Sequence, residues 1–465
     1  MCCLILHCHR GCFFIPLLLF IWLLSGCSNL PSGTALPLQP PEKFSVQGGE
    51  RSVSDRWWRD FSDPSLDLLV EQSLADNFSL RATWARLRQF EAVARREGAA
   101  LLPSLDMSGS VTHSDSNESD GLTTRQFGFH AAYEVDLWGR VQATTDAAKL
   151  DAEASQADLQ TAALSLSVTL ANTWYQLVEQ RAQVKLIESQ LKLNRQLLKL
   201  VDARFRIGQV NASDVYRQRQ LVAQTEGEAS QAKTQLYTLE HQLAVLLGSR
   251  PGMPNLPENS DLPLLGPLPS TGLPADLLRR RPDLKAALLR LQAANARAAA
   301  AVAARYPRLD LSAVLTTPGV SGGVFDNWLG NIVAQLSAPL FDGGQRRAEM
   351  ARTEAVVDES LNKYAETLLE ALREVEDAIV AEAGQRRYLA TIDAQLAALD
   401  TVATQERQRY FQGDADYLSV LDALRSRQAL ERQQLRARRE LISYRIDLVS
   451  ALAGGWAMTT KDVSQ

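Results

Sequence analysis

One run of residues limits the architecture more than any other. From Leu159 the positions Ala163, Leu166, Leu170, Thr173, Leu177, Gln180, Val184, Ile187, Leu191, Asn194, Leu198, Val201 and Phe205 follow at steps that alternate four and three without error. This is a 3.5-residue seam, the spacing of helices that supercoil about one another, and three of its members are polar. No proline falls between Pro103 and Pro251, and the first credible break after Gly139 is Gly208. At 1.5 Å per residue, a helix from Gly139 to Arg206 is about 100 Å long. Of the forms open to 465 residues, several globular domains or one elongated architecture, this seam selects the second. The low aromatic content, 7%, points the same way.

The chain also writes its plan twice. Leu102-Pro103-Ser104-Leu105-Asp106-Met107-Ser108 returns as Tyr306-Pro307-Arg308-Leu309-Asp310-Leu311-Ser312, and 307 minus 103 gives a spacing of 204. The same spacing pairs Leu80 with Leu284, Ala82 with Ala286, Leu87 with Leu291, Thr112 with Thr316 and Gly139 with Gly343. Two structural repeats follow, over 63–250 and 275–453, joined by a linker, 251–274, that holds seven prolines and reads as an extended connector.

Within the first repeat, Asp63-Pro64 is a helix start, a break is expected at Asn77, and Pro103 ends the helical stretch. Apolar Leu105, Met107, Gly109 and Val111 then alternate with polar neighbours. After a polar loop, His113 to Thr124, the residues Phe127, Phe129, Ala131, Tyr133 and Val135 alternate in the same way. This predicts a β-hairpin over 105–137 with one apolar and one polar face. Strands of about ten residues match a transmembrane β-strand; a soluble hairpin with one wet face has the same pattern.

A helical hairpin over 139–247 follows, turning at Gly208 to Asn211, with Ser213 or Asp214 as the cap of the return helix and Gly248 closing it. The second repeat predicts a helix from Pro274 to Ala304, a β-hairpin over 309–341 with its second strand from Asn331 to Phe341, and a helical hairpin over 343–453 turning at Gly413. Gly413 pairs with Gly208 at 205 rather than 204. Two details are irregular. Ile332, Ala334 and Leu336 stand one position out of phase with the second strand, which calls for a bulge or local register change. The second seam, Leu361, Ala365, Leu368, Leu372, Val375 and Ile379, meets Glu382 and Arg386, where a phase slip is expected.

All five cysteines lie in the first 27 residues, so the body holds no disulfide framework and no Cys-based metal site. No P-loop, HExxH or GxSxG occurs, His113, His130 and His241 are scattered, and acidic and basic residues interleave. The sequence therefore predicts neither an enzyme, a bound cofactor, a metal nor a nucleic-acid partner. Net charge is −5.

An apolar stretch from Cys12 to Leu24, broken only by Pro16, has the length of a signal h-region and is too short to span a bilayer as a helix. It ends in Leu24-Ser25-Gly26-Cys27, which resembles a bacterial lipobox. That resemblance implies a signal peptide over 1–26, an acylated Cys27 and, with Ser28 next in line, the outer membrane. Residues 27–62 then read as a tether, with the Pro-rich stretch from Pro31 to Pro41 as a flexible spacer that lifts the first folded residue off the bilayer, and 454–465 as a tail.

Four strands cannot close a barrel, and an open edge cannot face lipid, because its N–H and C=O groups would lack partners. Either the strands are not membranous or several chains pool them; three chains would give twelve. Four further stretches are distinctive: Trp57-Trp58-Arg59-Asp60-Phe61 with Asp63-Pro64, Tyr133-Glu134-Val135-Asp136-Leu137-Trp138-Gly139-Arg140, Leu277-Leu278-Arg279-Arg280-Arg281-Pro282-Asp283-Leu284 and Pro339-Leu340-Phe341-Asp342-Gly343-Gly344. With the Leu24-Ser25-Gly26-Cys27 box, they make the chain resemble the outer-membrane efflux lipoproteins of the TolC type, the NodT/OprM-like outer-membrane factors. Leu288 stands where the family usually has a glutamate.

The resemblance implies a mainly α fold with β, in which duplicated coiled-coil hairpins and two β-hairpins form, as a homotrimer, a 12-stranded barrel continuous with a helical tunnel. It implies an exit duct in the cell outer membrane that reaches across the periplasm to an adaptor protein and an inner-membrane RND-type transporter. It also implies a periplasmic gate at the helical tips, with Asp422 matching a ring aspartate and Asp214 a tip residue that pairs with a base in some members; here Ala415 stands where that base would be. Asp214 as a helix cap and Asp422 as an ordinary solvated residue remain open. Alternatives to the efflux duct are the exit duct of a type I protein-secretion system and a periplasmic coiled-coil scaffold with no pore.

Overall fold

A computed structural model describes residues 41–45, 54, 56–116, 119–252, 256–258, 261–317 and 327–452. The 1–26 leader, Cys27 and the 454–465 tail lie outside the described residues. A 3₁₀ turn, Trp57–Phe61, leads into α1 (Pro64–Asp76) and α2 (Phe78–Ala99), then β1 (Ser104–Ser116), β2 (Ser119–Val135), α3 (Arg140–Arg206) and α4 (Ala212–Leu246). After the linker come α5 (Leu277–Arg280), α6 (Pro282–Ala303), β3 (Arg308–Thr316), β4 (Leu329–Ser337), α7 (Gln345–Gln412) and α8 (Tyr417–Leu452).

The helix starts follow local chemistry. Asp63 accepts hydrogen bonds from Ser65 N (3.0 Å) and Leu66 N (3.4 Å), and Asn77 breaks α1 from α2 by capping Ser79 N (2.9 Å) and Leu80 N (3.1 Å). The helix expected over Pro274 to Ala304 is divided instead. Arg281 takes an extended conformation (φ −76°, ψ 120°) because Pro282 follows it. Its guanidinium, nearly buried, then pairs with Asp283 (2.6 Å) on α6 and with Glu374 (2.7 Å) on α7. The LLRRRPD stretch is thus a corner that joins three elements.

The WWRDF stretch is a plug. Trp57, Trp58 and Phe61 are buried against Leu170, Trp174, Tyr175 and Leu177 of α3, Trp57 Nε1 donates to Ser167 Oγ (3.3 Å), and Trp174 Nε1 donates to Asp63 Oδ2 (2.8 Å). Each side chain buried this fully contributes roughly 1.5–3 kcal/mol. The tether expected over 27–62 is accordingly docked at its far end. Phe44 is also buried, in a cluster with Leu277, Leu284, Leu368 and Val375, and Ser45 N donates to Glu376 Oε1 (2.8 Å).

The two seams run inside the hairpins. In α3 all of the predicted positions are buried or half-buried except Phe205, which is exposed at the tip. In α7 the expected phase slip is absent. The chain buries Tyr364, Leu368, Ala371, Val375, Ala378, Glu382 and Gln385, then half-buries Leu389 before Ile392, an unbroken alternation of four and three. Ala378 and Gln385 hold the positions that the more conspicuous Ile379 and Arg386 suggested. The two hairpins make the same polar contact, Gln180 Nε2 to Ala232 O (2.8 Å) and Gln385 Nε2 to Ala437 O (3.0 Å). The spacing here is 205, since 385 minus 180 and 437 minus 232 agree.

The linker is held by arginines at that same spacing. Arg181 donates to Pro257 O and Arg386 to Gly266 O, and 386 minus 181 is 205. Arg445 adds bonds to Pro267 O and Gly266 O (3.1 Å each), and fully buried Glu382 orients Arg445 (2.6 Å) and Arg386 (2.9 Å).

Candidate functional site

The four strands form one antiparallel sheet in the order β1-β2-β3-β4, so the second hairpin of the chain simply extends the first. Much of the polar loop expected from His113 to Thr124 is ladder instead: β1 pairs with β2 as far as Ser116 opposite Ser119, with a shift between Ser114 and Ser116. Cross-strand partners satisfy the backbone there, so polar side chains do not force a loop. The fourth strand, expected over 331–341, starts at Leu329 and stops at Ser337.

Its phase needs no bulge. Leu105 faces Ala131, Ala131 faces Ala313, and Ala313 faces Ile332, in continuous registers from β2 to β4. One face of the sheet therefore carries Leu105, Met107, Phe129, Leu311, Leu315, Ile332 and Leu336, all with large exposed apolar area. The other carries Asp106, His130, Glu134, Asp310 and Gln335. Leu105 and Leu309 match at 204, while their partners Ala131 and Leu336 match at 205. The extra residue thus enters between β3 and β4, and everything after it is displaced by one.

This re-pairs the strand–helix junctions. Gly139 (φ 73°) is the N-cap of α3, and its counterpart is Gly344 (φ 91°), the N-cap of α7; Gly343 (φ 63°) precedes the cap. Positive φ is strained for any other residue, which is why glycine opens both long helices. In the first junction Glu134 grips Arg140 at Nε (3.0 Å) and Nη2 (2.7 Å), and Asp136 accepts from Gln142 N (2.7 Å). Trp138 Nε1 donates to Pro307 O (2.8 Å) while its ring stacks on Tyr306 at 4.8 Å. The first half is therefore fastened to the repeated proline block of the second. In the other junction, Asp342 accepts from Gly344 N (2.9 Å) and from Arg346 Nη1 (3.0 Å), and Arg346 holds that carboxyl below the usual carboxylate range.

At the far ends, Gly208 (φ 75°) and Gly413 (φ 84°) make the two turns as expected. Neither Ser213 nor Asp214 caps α4: Asn211 occupies the N-cap position, and Asp214 lies inside the first turn. Asp214 is only 6% exposed, and its side-chain contact is with Arg217 (3.5 Å) of its own helix. Beside it Tyr410 and Tyr417 pack at 5.4 Å, Arg204 lies 4.7 Å over the Tyr410 ring, and Tyr417 OH donates to Gln218 Oε1 (2.6 Å). Burial pushes both phenols above their ordinary range. Asp422, one turn into α8, is exposed and does not join this cluster.

A ladder of buried amides continues inward: Gln218 donates to Asn194 O (2.8 Å), Asn194 to Thr225 Oγ1 (3.0 Å), and Gln428 to Asn194 Oδ1 (3.0 Å). Of these, only Asn194 stands out on the first seam. Gln218 and Thr225 are seven residues apart on α4, and that heptad spacing is the signal that marks them.

A family model described as "Outer membrane efflux protein" matches residues 69–249 and 273–454, one stretch on each side of the linker. The chain belongs to the outer membrane efflux protein family. It is 31% identical to the pyoverdine export outer membrane protein OpmQ of Pseudomonas aeruginosa over 93% of this chain and 95% of that protein. It is 27% identical to the cation efflux system protein CusC of Escherichia coli over 93% and 96%. Among solved structures, the outer-membrane channel OprN matches with a TM-score of 0.84 and 29% identity, over 91% of this chain and 98% of that one. The open state of the Neisseria gonorrhoeae MtrE outer membrane channel matches with 0.84 and 25%, over 92% and 99%. The fold is that of the TolC-like channels, and the protein is an outer-membrane efflux channel, which is a non-enzymatic role.

Proposed function

We propose that three copies of this chain form the passive exit duct of a tripartite efflux system. The duct takes small toxic compounds from an inner-membrane RND-type transporter and a periplasmic adaptor and releases them outside. One observation carries the reading. The sheet has an exposed apolar face and two edge strands, β1 and β4, each of which is paired on one side only among the described residues. In a bilayer such edges have to find strands, and twelve strands from three copies close the ring. The polar face, with Asp106, Glu134 and Asp310, then lines the pore.

The long hairpins continue the ring as a tunnel, and energy comes from the transporter. Cys27, acylated, adds a lipid anchor in the outer membrane. At the tips the gate comprises Asp422, whose three copies repel and draw cations, and Asp214, which is buried and contacts Arg217. Small-molecule cargo is supported by the relatives, whose names specify pyoverdine export and cation efflux, and also toluene efflux in Pseudomonas putida.

Deletion of the gene tests the function. Increased sensitivity to small toxic compounds with normal protein secretion is the expected result. Lost secretion with unchanged sensitivity would assign the duct to protein export, and a detergent-free soluble monomer would remove the pore altogether.

A further inference from the structure

A polar hollow opens where the two helical hairpins meet, partway along α3. Its floor is α3, where Glu179 and Gln183 stand one turn apart on the same face. From α4 comes a wall that carries Glu228, and from α8 a second that carries Ala429, Arg432 and Arg436. The volume, about 530 Å³, is that of a small-molecule site. The lining is unlike that of a site for an apolar compound, because four glutamines, two glutamates and two arginines face three apolar side chains.

The floor lacks donors. Gln183 is only 5% exposed, and its amide nitrogen donates to Glu179 Oε1 (2.8 Å) and to Arg432 O (2.7 Å), while its Oε1 is buried with no hydrogen-bond partner among the described residues. An acceptor buried in this way is costly until a donor reaches it. Glu179 is 8% exposed and receives only that one bond from Gln183 among the described residues. The rim is the reverse. Arg432 is already engaged, with Gln190 Oε1 (2.7 Å) and Glu228 (3.3 Å), but Arg436 is exposed and near enough to act on the charge of Glu179. Two carboxylates and two guanidinium groups balance, so the hollow suits neither a plain cation nor a plain anion.

We propose that this hollow binds a small amino-acid-like zwitterion, with its guanidinium or ammonium group on Glu179 and Gln183 Oε1 and its carboxylate on Arg436. The site goes beyond the exit-duct reading, and one chain supplies all of it, so it does not depend on the number of copies. A ligand there touches both hairpins and braces α8 against α3 and α4. It also moves a proton. Burial raises the pKa of Glu179, Arg439 and Arg436 oppose the rise and Glu440 adds to it, while Glu228 and Arg432, paired with each other, are the remaining charges on the hollow. A cationic group needs the ionised carboxylate, so binding expels the proton, and affinity falls as pH drops through the raised pKa.

Titration calorimetry of the detergent-extracted full-length protein with L-arginine tests this. One saturable site per chain and a raised thermal unfolding midpoint are expected. Agmatine, which lacks the carboxylate, should bind at least ~10-fold more weakly, because a charge-assisted bond is lost. Arg436→Gln should bring L-arginine to the level of agmatine without weakening agmatine. Glu179→Gln should weaken both by at least ~10-fold and remove the proton release, which is read as a binding heat that changes with the ionisation enthalpy of the buffer. Ala429→Leu, which fills the hollow from an exposed position, should abolish binding of both.

Absence of saturable binding at millimolar L-arginine, in a protein that still unfolds cooperatively, overturns the site. Undiminished binding by Glu179→Gln and Ala429→Leu puts the ligand elsewhere and overturns it equally. Agmatine binding as tightly as L-arginine overturns the zwitterion and leaves a site for cations. None of these outcomes touches the efflux role, which is read from the sensitivity of the deletion strain.

Discussion

Glu382 has no exposed surface, yet it sits in a coiled-coil seam where an apolar residue would be the ordinary choice. Arg445 and Arg386 surround it, and through them it holds the carbonyls of Gly266 and Pro267. Removing one partner of a buried charge cluster leaves the others uncompensated, at a cost of about 3–5 kcal/mol. Glu382→Ala should therefore lower the thermal unfolding midpoint sharply, with Glu382→Gln falling between it and the parent. Glu179 behaves oppositely. Burial raises its pKa above the usual carboxylate range, although Gln183 donates to it (2.8 Å). Its folded state holds the proton more tightly than the unfolded state does, so stability is gained as pH falls through the raised pKa and lost as pH rises. Glu179→Gln, measured by thermal unfolding between pH 4 and 8, should remove that slope and leave the variant at least as stable near neutrality. Glu382 was visible in the sequence only as an interruption. Its partner Arg445 is 63 residues away, and nothing local in the chain announces such a pairing.

At the scale of elements, the long helices and their turns were readable because a seam repeats over many residues and glycine supplies positive φ at Gly208 and Gly413. In the second hairpin both the expected Ile379 and its neighbour Ala378 are buried, and hydrophobicity alone does not say which of them faces the partner helix. Close approach of two helices favours the small side chain, a fact of packing that hydrophobicity does not encode. The strand ends were misplaced for a related reason: whether Ser114 or Ala338 is strand depends on what lies beside it. The junction between β2 and α3 is the element most exposed to test. Trp138→Phe keeps a ring over Tyr306 but loses the bond to Pro307 O, and should cost about 0.5–1.5 kcal/mol. Trp138→Ala should cost more, and hydrogen exchange at the β2–β3 ladder should report both.

At the scale of the whole molecule, the sequence held the repeat, the four strands and the impossibility of closing them alone. It gave no account of how the halves attach, because the Arg281 corner, the Trp57 plug and the Phe44 contact are all made between distant segments. Two predictions belong to the assembly. Asp422→Ala should raise the conductance of the protein in planar bilayers and weaken its cation preference; unchanged currents would remove Asp422 from the gate. Cys27→Ser should abolish incorporation of labelled palmitate while leaving the purified fold intact by circular dichroism.

The single residue gained between β3 and β4 has a further effect on the far side of the molecule. Because it enters ahead of the second long helix, the spans between the glycines match, 208 minus 139 and 413 minus 344 each being 69, while the helices themselves run 67 and 68 residues. At 1.5 Å per residue both hairpins reach about 104 Å below their glycines. In the three-copy ring proposed above, six turns would then stand about equally far from the glycines that open their helices, long and short teeth being avoided.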